Sequence, residues 1–456
     1  MSSFTSLKGA NSRLTRRAAL GATLITGGAA LTACTAGVPA TGEDSRLLPS
    51  KGPVTVVPFL SGITDAMRGD WDSQIAAVYK QRRPNVTVDL VPQTGPTVDR
   101  VQKMTALLAS GQPLDLGDGP LGLRAMVSQN LADPALDALV RRDKYDTKKY
   151  NQAHFQAGAV LEGKIWALPY RYGGNAMCLA CNTNLFKEAG VALPPGDAAK
   201  PWTWDEFVSA LTRLTKRSGG DVTQFGLAGP AWIVGTWPPL WKTDWISPDL
   251  KTITCDSQEM QDCYTRLHDL FHRYHVLPQL GEASRLFGNA NLFNTGRAAI
   301  LLFPPTGWRT YGIGAQVDYA FAPIPKVVQS VPDMGTGGIS LYRGSKVTGD
   351  AWDFLKFLIE ESRYAKLIGL MPAVVADIEP WAKEQLQNVP SADTKALMGI
   401  IERANQGSSM LAQHPKYTEM TLVMNPVLDD FMAGKIAPRE MLQTLKPQLQ
   451  QIIDTK

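Results

Sequence analysis

The sequence predicts an α/β protein in which mainly parallel sheets are flanked by helices. Three observations predict it. From Pro53 onward, apolar strands and amphipathic helices alternate in the order β-α-β-α-β, the pattern of a sheet covered by crossover helices. The 456 residues suffice for two separate cores. Within 161–190, two short apolar strands flank Tyr172-Gly173-Gly174-Asn175, where paired glycines disfavour regular structure and suit a hinge.

The N-terminal residues read as targeting sequence and tether. Thr15-Arg16-Arg17 is a twin-arginine pair, residues 18–33 are apolar and too short to span a bilayer comfortably, and Leu31-Thr32-Ala33-Cys34 has the lipobox pattern. Residues 1–33 are therefore expected to be a lipoprotein signal peptide of the twin-arginine type. Cys34 is the expected lipidation site, which would hold the protein on the outer face of the cytoplasmic membrane. Residues 34–52, rich in Gly, Pro and Ser, are the expected tether. The net charge of +4 resides in this region: Lys8, Arg13, Arg16 and Arg17 have no acidic counterpart before Cys34. The balance of the chain is neutral, which argues against nucleic acid as a partner.

Beyond the tether, 54–59 reads as a strand. A helix carrying Trp71, Ile75 and Val78 on one face follows, then an alternating strand at Val86, Val88 and Leu90. A second helix ends at Gly111, and Leu114-Asp115-Leu116 leads to Gly117-Asp118. Ligands of such sheets sit beyond the carboxyl ends of the strands, which singles out residues 59–62 and Asp118. Thr203 and Glu206 form a capping box for a helix through Phe207, Leu211 and Leu214.

Four of the eleven tryptophans fall between Trp232 and Trp245. Trp237, Trp241 and Trp245 are spaced for one helix face, where core packing competes with a sugar platform, since a flat indole suits the C–H face of a pyranose. Trp232 follows Gly229-Pro230 in a loop, and Gly307-Trp308 closes a small-residue strand. His268, His272 and His275 lie on one helix face, but no His-Glu-x-x-His motif accompanies them, so a solvated face is expected and no metal. Cys178 and Cys181 point to opposite faces of one strand and should not pair, whereas a Cys255–Cys263 bond is conceivable.

Several motifs together resemble the extracellular solute-binding proteins, family 1, that deliver sugars to ABC importers, the maltose-binding type included. Gly163-Lys164 with Pro169 matches its strand before the hinge, and Asn182, Leu185-Phe186 and Gly190 match the strand and helix after it, with Cys181 in the place of the usual tyrosine. Thr203-Trp204-Asp205-Glu206-Phe207, the run 292–308 and the helix 351–359 follow in the family's order.

The resemblance implies a two-lobed periplasmic-binding-protein type II fold, each lobe a mainly parallel sheet flanked by helices, joined by a hinge. Lobe 1 would comprise 53–172 and 332–390, and lobe 2 would comprise 173–331 and 391–456. It implies a monomer that closes on a carbohydrate or sugar-like solute and delivers it to ABC permease subunits, without catalysis or cofactor. The expected ligand contacts are Trp232, Trp237, Trp308 and Tyr417 for stacking, with Asp118, Arg171, Tyr172 and Asn175 for polar contacts, and Gly338 where backbone approaches the ligand. Contact through Arg171 would suit an anionic cargo such as a glycerophosphodiester. An exported glycan-acting enzyme is the rival class, although the chain has no Gly-x-Ser-x-Gly to support it.

Overall fold

The computed structural model describes residues 45–455 apart from 96, 121, 173–176, 230–233, 280–284, 305–316, 332–336 and 405–408. The signal peptide, Cys34, Asn175, Trp232 and Trp308 lie outside the described residues.

Ten strands build two five-stranded sheets. In chain order they are β1 (Pro58–Ser61), β2 (Val91–Gln93), β3 (Leu116–Gly117), β4 (Leu168–Arg171), β5 (Cys178–Asn182), β6 (Lys216–Ser218), β7 (Asp221–Ala228), β8 (Ala298–Phe303), β9 (Tyr319–Ala322) and β10 (Gly337–Leu341). The first sheet has the order β2-β1-β3-β10-β4 and the second β6-β7-β8-β5-β9. The α/β class holds, but the sheets are mixed rather than mainly parallel. The reason lies in the connections. β5 enters the second sheet from the first, and β10 returns to the first from the second. Each is inserted between two strands and pairs antiparallel with both.

Each sheet buries both faces. In the second sheet the alternation of β5 is visible residue by residue: Leu179 and Cys181 join one core, and Cys178 and Ala180 the other. The first sheet likewise places Leu60 and Leu116 in one cluster and Phe59 with Tyr342 in another. The capping box of Thr203 and Glu206 formed as the sequence indicated. Asn182 caps the helix Thr183–Glu188 by accepting from the Leu185 N–H. Cys178, Cys181, Cys255 and Cys263 are buried free thiols. No Cys255–Cys263 bond forms, and the Cys255 Sγ instead lies 3.7 Å from the Leu442 carbonyl oxygen as donor.

Trp237, Trp241 and Trp245 do not share a helix face. Pro238-Pro239 cannot donate backbone hydrogen bonds, and only a short 3-10 turn, Pro238–Trp241, forms before Lys242 adopts a left-handed conformation (φ +55°). All three indoles are buried in the second sheet's core.

His268 and His272, with ring centroids 4.4 Å apart, pack beside Phe431 on the helix Gln258–His272. Burial, then the charge of the neighbouring histidine, holds the His268 pKa below the ordinary range. For His272 the causes are burial and the charge of His275, opposed by hydrogen bonds to the Phe431 and Met432 backbone. Among the described residues, no group of three or more His, Cys, Asp or Glu is arranged to hold a metal. The fold favours both rings neutral, while unfolded histidines take up protons at about pH 6.5, so stability falls as pH drops below that value. The melting temperature is expected to decline from pH 7 to 5, and His272→Gln should flatten that decline. A variant with the wild-type slope would exclude the pair as its source.

Candidate functional site

The carboxyl ends of β1, β2, β3 and β4 and the start of β10 lie along one edge of the first sheet, because β10 alone runs against the others. Ser61 is paired with Gln93, and Gly337 with Arg171, at that edge. Asp118 follows β3 directly and gathers its neighbours. Its carboxylate accepts from the Ser61 N–H (2.9 Å) and Oγ, from Gln93 Nε2 (3.2 Å) and from the Tyr170 hydroxyl (3.3 Å). Gln93 also donates to the Asp118 carbonyl at 2.7 Å, and the Tyr364 hydroxyl donates to the Ser61 carbonyl. A carboxylate has room for about four such donors, so the protein itself supplies Asp118 with a full set.

Burial pushes the Asp118 pKa up; the Ser61 donors and the Arg171 charge pull the other way without cancelling it. The Tyr170 phenol is pushed up to about 12 by burial and by the charge of Asp118. The Tyr170 and Tyr364 rings lie 4.8 Å apart, and the Arg171 guanidinium carbon is 5.9 Å from the Tyr170 ring centroid.

Arg171 stands where three chain crossings meet. On one side β10 returns from the second sheet. Its first residue, Gly337, presents a bare α-carbon where any Cβ would collide with the Arg171 Nε. On the other side Arg171 bridges Pro372, the Tyr172 N–H donates to Met371 at 2.9 Å, and the Ala373 N–H donates to Tyr170 at 3.4 Å. The third crossing continues from β4 itself. Tyr170 belongs to the first sheet's core and Tyr172 to the second's, so the chain changes core within two residues. The segment after Ile368 alternates as well, with Met371 in the second core, Ala373 in the first and Ile378 in the second again.

Of the expected contact residues, Asp118 and Arg171 are brought together at this edge, with Gly338 on the adjoining strand. Gly338 packs on Ala167 and the Leu168 carbonyl, so its close approach is to β4. Tyr172 is 2% exposed and stacks on His154 at 5.0 Å. Trp237 has no exposed surface and meets Trp204 edge-on at 5.9 Å, so packing replaces the stacking role expected of it. Tyr417 is half-buried at the start of the helix Tyr417–Met432, against the second sheet's core. Ser61 is marked in the sequence only as part of the strand end 59–62. Nothing local marks Gln93 or Tyr364.

Residues 64–362 match the profile of the bacterial extracellular solute-binding proteins. Solved structures share the fold at low identity. An ABC substrate-binding protein from Listeria monocytogenes in complex with cycloalternan is 16% identical, with a TM-score of 0.70 over 89% of this chain and 100% of that one. The maltose/maltodextrin-binding domain from Bdellovibrio bacteriovorus, bound to maltotriose, is 18% identical, with a TM-score of 0.67 over 88% of this chain and 100% of that one. An ABC transporter solute-binding protein from Thermotoga lettingae, bound to α-D-tagatose, is 17% identical, with a TM-score of 0.68 over 88% and 99%. With its profile match covering more than half of its length, the chain belongs to the bacterial extracellular solute-binding protein family, whose work is to hold a solute outside the cytoplasm rather than to transform it.

Proposed function

We propose that this protein is the substrate-binding lipoprotein of an ABC importer. It captures a carbohydrate or sugar-like solute between two lobes, one built on each sheet, and presents it to permease subunits in the membrane. The observation that carries this reading is the polar edge of the first sheet, Asp118-Tyr170-Arg171, lying where the chain crosses between the two cores. A site at that junction touches both halves, so a bound solute favours the closed state over the open one. In the sequence Trp232 and Trp308 follow β7 and β8, and they remain the stacking residues of this reading. The fold relatives bound to cycloalternan, maltotriose and tagatose support a sugar as cargo. Cys34, after its lipobox, carries the anchor.

Arg171 favours a second reading of the cargo. Beside the hinge, its planar fork suits a phosphate or carboxylate, as in a glycerophosphodiester.

A thermal-shift panel of mono-, di- and trisaccharides and glycerophosphodiesters on the lipid-free protein separates the two readings. The cognate solute at 100 times its Kd should add about 2.7 kcal/mol. Trp308→Ala is expected to abolish a sugar shift, and Gly337→Ala to weaken binding by dislodging Arg171. A shift confined to phosphodiesters and lost in Arg171→Lys selects the second reading, and no shift with either class overturns both.

Asp118→Ala removes the carboxylate that accepts from the Ser61 N–H and hydroxyl and from the Tyr170 hydroxyl, and is expected to cost about 1–3 kcal/mol in urea unfolding. Unchanged stability would show that Asp118 does not organise the edge. Cys34→Ser is expected to move the protein from the membrane fraction to the soluble one. Retention on the membrane would contradict the anchor.

A further inference from the structure

Residues 45–52 fall within the stretch whose composition reads as tether, yet Arg46, Leu47, Ser50 and Gly52 are hydrogen-bonded to the first sheet's half of the molecule. Ser50 is the centre. Its N–H reaches both carboxylate oxygens of Asp350 (3.1 and 3.0 Å), its hydroxyl donates to the same group at 2.6 Å, and its carbonyl accepts from Asn85 at 2.9 Å. Asn85 also donates to the Gly52 carbonyl at 2.9 Å. Asp350 has no exposed surface, and its remaining partner is Arg83 at 2.8 Å, which also holds Asp353 at 2.9 Å. A buried carboxylate so placed needs these donors, since without them its charge would be uncompensated.

Shape agrees with charge. Gly349, in the helix Thr348–Ile359, lies against the backbone of Leu47 and Leu48, where a Cβ would come within 2.5 Å of the Leu48 carbonyl carbon. The Arg142 guanidinium donates to the Leu47 carbonyl at 2.8 Å.

We propose that residues 45–52 are a clamp that fastens the N-terminal segment to the helix Thr348–Ile359 and to Arg83 and Asn85. Tension from the membrane is then borne by the first sheet's half alone, and the second half swings without working against the anchor. That mechanical consequence rests on the lipid-anchor reading above; the clamp does not.

Hydrogen-exchange mass spectrometry on the full mature chain carrying Cys34→Ser tests the clamp without the anchor. Peptides covering 45–52 are expected to exchange about 100-fold more slowly than the same peptides in the urea-unfolded chain. Gly349→Ala should bring 45–52 to the unfolded-chain rate while the strands of the first sheet keep their protection. Asn85→Ala, a milder change, should do so in part. Wild-type exchange in 45–52 as fast as in the unfolded chain would overturn the proposal, as would full protection in both variants. Membrane fractionation decides the anchor separately.

Discussion

One carboxylate holds the working edge of the first sheet in register. Asp118 follows the shortest of the sheet's strands, where two residues of pairing leave little to define the loop beyond. Donors from the neighbouring strand ends, Ser61, Gln93 and Tyr170, converge on it, and Tyr364 ties Ser61 to a helix. Burial raises the cost of the charge, and the number of donors offsets it. A carboxylate so fully engaged positions its neighbours more than it offers itself to a solute. The groups beside it are Tyr170, which donates to it from within the first core, and Arg171, the next residue along β4.

The junction of the two cores explains the topology. Chains that cross between two sheets must enter each from the edge nearest the other, so the entering strand runs against its hosts. β5 and β10 are those strands, and both are central rather than peripheral. The crossings are also paired with each other, Arg171 with Gly337 and with Pro372. On the proposed function, these hydrogen-bonded segments would act as a hinge that bends without twisting freely.

Much of this was legible in the sequence where the signal is local. The capping box at Thr203 and Glu206 and the opposed faces of Cys178 and Cys181 follow from spacing within a few residues. What escaped depends on distant chain. Helical spacing of Trp237, Trp241 and Trp245 was overridden by Pro238-Pro239 and by the core that encloses all three. The direction of β5 and β10 is set by connection, not by composition. Gln93 and Tyr364 gain their roles only when residues 25 and 303 positions away come to meet them. The tether, read from its Gly, Pro and Ser content, ends in a segment whose polar groups are matched by Asp350, some 300 residues later.

The central claim is that two halves move about the paired crossings at Arg171 when a solute binds between them. Spin labels at exposed positions far from the junction, Ser110→Cys in the first half and Ser218→Cys in the second, would report it through pulsed dipolar distance measurements, the native thiols being buried. The account predicts that the distance distribution shifts when the solute with the largest thermal shift is added, and that Arg171→Ala reduces the shift. A single distribution, unchanged by a solute that demonstrably binds, would contradict it.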